Sequence, residues 1–300
     1  MKHIHALAPL LAILCGCPGA QKKNLAIHAD LERSVPSGAT TLIGVKLTAI
    51  APTEFYRTTV APLIAPMLAE FSKQSGVDPA KDIDEILIVL RGESEPLLLA
   101  RGKWDAAALE AKLTANGFQT SSGSAPRIHT RDKLSISFPR AGVIAAGPPA
   151  ILVDSAKQSG VPPALSPLVD SIGPGAQIWA VSTADFKGFR APERSNLQNL
   201  EKIAASLRTL TAWADVRQGV HLRATGSCAT DDDAKQLHGG IRAMMGLARL
   251  ATPAGQQDLL KALDTVELRQ EAAAVRASID LTAEQFDQLR GMLPVPRTAN

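Results

Sequence analysis

Aromatic side chains are scarce in this chain of 300 residues: one Tyr, three Trp and seven Phe, or 4% of the whole. So few flat rings leave little for bases or sugars to stack on. An excess of one charge is lacking too. Thirty-two Lys and Arg stand against 29 Asp and Glu, a formal net of +3, too weak to hold a nucleic-acid backbone. Beyond the N-terminus no apolar run comes near the about 18 residues that would cross a bilayer. There are three cysteines, Cys15, Cys17 and Cys228, which make no disulfide framework. The motifs GxxxxGK[ST], GxGxxG, HExxH, GxSxG and SxxK are all absent, so phosphate-loop, zinc-protease and common serine-hydrolase chemistry lack their usual signatures. What remains is 45% hydrophobic and 20% charged, an ordinary globular composition. It is long enough for two cores at roughly 100 to 200 residues each.

The N-terminus reads as an address. Met1, Lys2 and His3 precede the stretch Ile4 to Leu14, apolar except for His5. A basic start and a short apolar run make residues 1–16 a secretory signal, too short to be a span. Its exit, Leu14-Cys15-Gly16-Cys17, resembles the lipobox of bacterial lipoproteins. That resemblance implies that Cys17 receives a diacylglycerol, that cleavage falls just before it, and that the new amino group carries an acyl chain such as palmitate. The plainer alternative is an ordinary secretory signal with two incidental cysteines. Several chains on one residue make a firm anchor, since each buried CH₂ contributes about 0.8 kcal/mol. Residues 17–34, with Pro18, Gly19, Lys22, Lys23 and Asn24, are expected to be a flexible tether. Pro18 in place of Asp favours, by the same resemblance, the outer membrane with the body facing the periplasm. Cys228 is then the only thiol of the body, read as a buried inert group against a reactive one.

The body reads as an α+β fold of two similar, duplicated units, each an antiparallel sheet covered by helices on one face. The first unit is placed at 35–160. Strands are expected at Thr41 to Lys46, Glu85 to Arg91, Pro96 to Arg101, Arg127 to Thr130, Leu134 to Phe138 and Gly142 to Ala146. Helices are expected over Thr53 to Ser75, interrupted near Pro62, over Asp105 to Asn116, and from Pro148 toward Ser159. The second unit, 176–292, repeats the order: a strand at Ala176 to Ser182, a helix over Asn196 to Leu210, and a hairpin of Trp213 to Arg217 with Val220 to Thr225. A long helix over Asp231 to Leu250, a short one over Gln256 to Ala262, and the strands Val266 to Arg269 and Val275 to Ile279 complete it. Matching order over nearly equal lengths suggests duplication. Residues 161–175, crowded with Pro and Gly, are expected to be a linker, and 293–300 a frayed tail. Val35 to Thr41, Val77 to Asp82 and Ala100 to Trp104 resemble segments of uncharacterised bacterial cell-envelope proteins, a resemblance that brings no activity with it.

Candidate chemistry is thin. Asp231, Asp232 and Asp233 follow Thr230 at a helix start, where carboxylates complement the helix dipole, and they have no ligand-loop glycine. Thr282 and Gln285 make a capping box. His28, His129, His221 and His238 show no ligand spacing, so neither a metal site nor a catalytic residue is expected, and no cofactor. Arg217, His221, Arg223, Arg269 and Arg276 point outward on strands of the second half. They are read either as a face for anionic head groups or an acidic partner, or as a solvated surface neutralised by Asp215, Glu267 and Asp280. Met244 and Met245 on the long helix are read as core or as the lining of a lipid cavity. The expectation is a non-enzymatic, lipid-anchored protein of the cell envelope, a binding or scaffolding module. It meets the membrane through Cys17 and an envelope protein or lipid as partner, with no nucleic acid. A carrier of lipid or another hydrophobic ligand is the alternative, and an envelope hydrolase a third.

Overall fold

The structure, a computed structural model of the chain, describes residues 26–62, 69, 72–73, 76–92, 96–121, 126–157, 159–183, 205–253 and 256–290. Twelve strands form one sheet: β1 (Thr41–Val45), β2 (Ile83–Leu90), β3 (Leu97–Gly102), β4 (Gln119–Thr120), β5 (Ile128–Arg131), β6 (Leu134–Arg140), β7 (Val143–Ala146), β8 (Ile178–Ser182), β9 (Leu207–Asp215), β10 (Val220–Cys228), β11 (Glu267–Glu271) and β12 (Ala274–Leu281). Their spatial order is β11-β12-β10-β9-β8-β1-β2-β3-β7-β6-β5-β4, and every pairing is antiparallel. Outward from the β1–β8 junction the two halves run alike. Each opens with a three-strand meander and a helical segment, then returns by antiparallel strands, four in the first half (β4 to β7) and two in the second (β11 and β12), the last of which pairs with the third. The fold is therefore α+β on a large antiparallel sheet, and the halves join edge to edge into a single sheet.

Gly44 on β1 lies opposite Trp179 on β8, and a Cβ at Gly44 would overlap the Trp179 indole. A residue without a side chain is what lets that ring, fully buried at 1% exposure, lie across the junction.

Helices cover both faces of the first half, where one covered face is expected. The first face carries Leu42, Leu87, Val89, Leu97, Leu99, Val143, Ala145, Trp179 and Val181. It is closed by α1 (Ala29–Glu32), α5 (Pro149–Ser155) and α6 (Ser166–Asp170) through Leu31, Ile151, Leu152, Leu165 and Val169. The second face carries Ala100, Ile136 and Ile144. It is closed by α2 (Leu47–Ile50), a π-helical segment Tyr56–Val60 and α4 (Ala106–Ala115); α3 (Pro79–Asp82) leads into β2. Packing against both faces accompanies the continuous apolar runs of β2 and β3, fully buried on the first face and partly on the second, where Ile86 and Ile88 are half-buried and Leu98 is exposed. In the second half α7 (Asp231–Ala251) packs on the second face through Ala234 and Leu237 against Cys228 and Val275, followed by α8 (Gln257–Asp264) and α9 (Ala283–Arg290).

Three expectations are corrected. The tether does not extend to residue 34: Ala26, Ile27 and Leu31 are buried, and Val35 follows them into the core, because His28 caps α1 and presses Leu31 onto the sheet. Residues 1–25, with Cys17 and the signal, lie outside the described residues, as does the tail. The helix over Asn196 to Leu210 also falls mostly outside them. Its last four residues, Leu207 to Leu210, begin strand β9 instead. Pairing with β8 and β10 fixes them in a sheet, and tertiary partners override a short helical stripe. Much of the helix expected over Thr53 to Ser75 lies outside the described residues too. The Pro/Gly-rich stretch at 161–175 contains α6 and buries Leu165, Val169 and Ile172, so apolar side chains at helical spacing pack there despite the prolines.

Capping follows the sequence closely. Thr230 Oγ1 accepts from the Asp233 N–H at 3.1 Å, and Asp232 pairs with Lys235 at 2.9 Å, so the acidic triplet serves a helix start. Thr282 and Gln285 exchange two bonds of 2.9 and 3.2 Å, a complete capping box.

Candidate functional site

Beyond β9 the first face is left without a covering helix among the described residues. The alternation of β10, β12 and β11 sends Leu222, Ala224, Ala277 and Leu268 to the α7 side, and Arg223, Thr225, Arg276, Ser278, Glu267, Arg269 and Glu271 to the bare side. Strand period alone makes one side of this end apolar and the other polar. The polar side forms an open groove of about 440 Å³ lined by Arg223, Thr225, Arg269, Arg276, Ser278 and Asp280, among others.

The register sets its electrostatics. Arg269 lies directly opposite Arg276, a like-charge pair that would repel if left alone. Each guanidinium takes a carboxylate instead: Arg269 donates to Glu267 at 3.0 Å, and Arg276 meets Glu271 at 2.9 Å. Arg223 reaches Asp280 at 2.9 Å and also donates to the Ile279 and Leu222 carbonyls. Asp280 Oδ1 lies 2.7 Å from His221 Nδ1. Above all the Arg223 hydrogen bond, aided by His221, holds the Asp280 carboxyl below the usual range. Three arginines thus face Glu267, Glu271 and Asp280, and the groove is charged throughout yet close to neutral in sum.

Of the five residues expected on this face, Arg223, Arg269 and Arg276 line the groove, and His221 borders it through Asp280. Arg217 does not join them. It forks onto Asp215, with Nε at 3.0 Å and Nη2 at 2.5 Å, in the loop after β9, beside a smaller cleft of about 80 Å³ lined by Phe55, Phe286 and Asp287. The Arg217 guanidinium lowers the Asp215 carboxyl to about 2. Glu271, which neutralises Arg276, and Ser278 and Thr225 on the groove floor are not among the residues expected on this face. Period two from Arg223, Arg276 and Arg269 is the signal that reaches Thr225, Ser278 and Glu271.

Two buried polar groups lie elsewhere. Glu85 is 5% exposed in the apolar row of β2, where burial pushes its carboxyl up; its Oε1 accepts from the His28 N–H at 3.4 Å. His129 is buried between Thr120, whose Oγ1 is 3.0 Å from Nδ1, and the Phe138 ring, and burial lowers it. No group of three or more His, Cys, Asp or Glu side chains able to hold a metal occurs among the described residues. No described helix is long and apolar enough to cross a membrane.

The fold and site define an α+β protein with one long antiparallel sheet, sandwiched by helices at one end and, at the other, covered among the described residues on one face only, the open face being zwitterionic. No protein-family model matches the chain. No curated protein matches it in sequence. Its fold is similar to solved structures of TP0453. Crystal form III superposes with a TM-score of 0.50 at 10% identity, over 87% of this chain and 98% of that one. Forms I and IV give 0.48 and 0.49 at 10% and 11% identity, over 87% of this chain and 97% and 95% of theirs. The match to form III shows a shared fold.

Proposed function

We propose that this chain is a lipid-anchored protein of the cell envelope, held to the membrane through Cys17, that acts as a non-enzymatic binding or scaffolding module. Its docking face is the bare groove of β10, β12 and β11. The observation that carries this reading is the change in cover along one sheet. Helices close the first face from β9 to β7 with apolar side chains, whereas among the described residues the last three strands carry paired Arg, Glu and Asp side chains with no helix over them. A groove with both charges in register fits a polypeptide partner carrying both charges, since exchange of ion pairs gives specificity without a large net field. The resemblance of residues 14–17 to a lipobox supports the envelope location.

The anchor and the groove are tested separately. Cys17→Ala is expected to release the protein from the membrane fraction, and the mature mass of the unaltered chain to include acyl chains; retention of the variant together with an acyl-free mass would refute the anchor. The double variant Arg223→Glu/Arg276→Glu is expected to lose its partner while folding normally by circular dichroism. Unchanged partner recovery would refute the groove.

A further inference from the structure

The outermost strand of the bare end is β11, and no described strand pairs with its far side. Which backbone groups it leaves open follows from the register. The Cys228 N–H donates to the Ala273 carbonyl at 2.7 Å, so Val275, Ala277 and Ile279 turn their backbone groups toward β10. Ala274, Arg276 and Ser278 therefore turn theirs toward Glu271, Arg269 and Glu267. Leu268 and Gln270 are left with N–H and C=O pointing off the edge, the kind of template that accepts another strand. Beside this backbone, the side chains Glu267, Arg269 and Glu271 alternate in charge along the exposed face.

We infer that β11 pairs antiparallel with β11 of a second copy of this chain, with Leu268 opposite its own counterpart, continuing the sheet across a twofold axis. That register exchanges backbone bonds between the two Leu268 residues. It also sets each Arg269 opposite Glu267 of the other copy, so both lateral pairs are of opposite charge. The register one step away, with Arg269 opposite Arg269, would also set Glu267 opposite Glu271 on both sides of the axis and so stack like charges three times. Charge pattern thus excludes that alignment; the Gln270-centred one, with Arg269 opposite Glu271, is separated from the Leu268-centred one by the test below. The charge pattern also blunts pairing with strands of other charge patterns, and a C2 contact of this kind closes on itself. One short strand makes a small interface, so the pair is of the transient class. This inference rests on the edge strand alone, and its failure would leave the anchor and the groove standing.

The test is sedimentation equilibrium of the full chain, in mild detergent, over a wide concentration range. The unaltered protein is expected to dimerise. Glu267→Arg and Arg269→Glu, each alone, place like charges opposite one another at two positions and are expected to weaken the dimer about tenfold or more. In an equimolar mixture of the two variants, a mixed dimer sets both arginines of one chain against both glutamates of the other, and should return the dimer to within about threefold of the unaltered protein. The chain carrying both substitutions should do the same. Rescue by mixing cannot arise from a folding defect in either variant. A monomer at every concentration, a dimer indifferent to both substitutions, or a mixture as weak as its components would overturn the inference. So would sensitivity to Arg269→Glu without sensitivity to Glu267→Arg, because that pattern belongs to a register with Arg269 opposite Glu271.

Discussion

The junction between the two halves is where a small change has its most calculable effect. Trp179 fills the space above Gly44, with its side chain fully buried between β1, β8 and the α6 side of the sheet. Trp179→Ala removes a whole indole from that core and is expected to cost about 3 to 5 kcal/mol. Gly44→Ala adds one methyl where the ring already lies, and overpacking of this kind costs about 1 to 3 kcal/mol. The two are not independent, because the added methyl enters the volume the indole leaves. The double variant is therefore expected to be less destabilised than the two single costs together, by about 1 kcal/mol or more. Trp179→Phe is the control: the indole N–H finds no acceptor among the described residues, so exchanging it for an apolar ring loses far less than truncation. Urea unfolding followed by far-ultraviolet circular dichroism, with midpoints compared at a common m-value, reads all four energies. Additive costs within about 0.3 kcal/mol would refute the close approach of Gly44 and Trp179, and with it the edge-to-edge union of the halves.

Three further outcomes follow from the buried and paired groups. Burial raises the Glu85 carboxyl above its ordinary 4.5, so the stability its protonated form contributes is full below that value and is lost as pH rises through the higher folded value. Glu85→Gln should therefore be the more stable protein at pH 7, by about 1 kcal/mol or more, with a flatter stability profile above pH 4.5; a less stable variant at pH 7 would contradict this. Asp215 is lowered from 3.8 to about 2, so its contribution is present above 3.8 and lost as pH falls toward 2. Asp215→Asn should cost about 1 kcal/mol at pH 7, modest because Arg217 is solvent-exposed, and the gap to the unaltered protein should close in acid. Cys228 is buried, and burial pushes its thiol up. A thiol reagent should label it slowly in the native body and promptly in urea, and equal rates would refute its burial.

Strand period, caps and turns were legible in the sequence because each is a local rule with a local cause. Val275, Ala277 and Ile279 alternating against Arg276, Ser278 and Asp280 sufficed to place β12 and to sort its faces. Thr230 and Thr282 announced their helices by side chains that satisfy backbone N–H groups. Leu207 to Leu210 were misread because Leu at helical spacing and alternation across a strand coincide over four residues, and only β8 and β10 decide between them. The packing of Ala26 to Val35 was invisible for a different reason: a polar stretch carrying His28, Asp30, Glu32 and Arg33 gives little sign that Leu31 has a pocket between β3 and its neighbours. For the site, the outward direction of Arg223, Arg269 and Arg276 could be read from period two. Their mutual distance could not, since it depends on β11, β12 and β10 being neighbours in space.

The most direct test of the docking groove is site-specific photocross-linking in intact cells from Ser278, on the groove floor, with exposed Ser171, at the end of α6 and away from the groove, as reference. The account predicts a discrete adduct from Ser278, of a mass other than twice the chain. That adduct should be lost in the Arg223→Glu/Arg276→Glu background and have no counterpart from Ser171. Silence at Ser278, or the same adducts from both positions in both backgrounds, would contradict it.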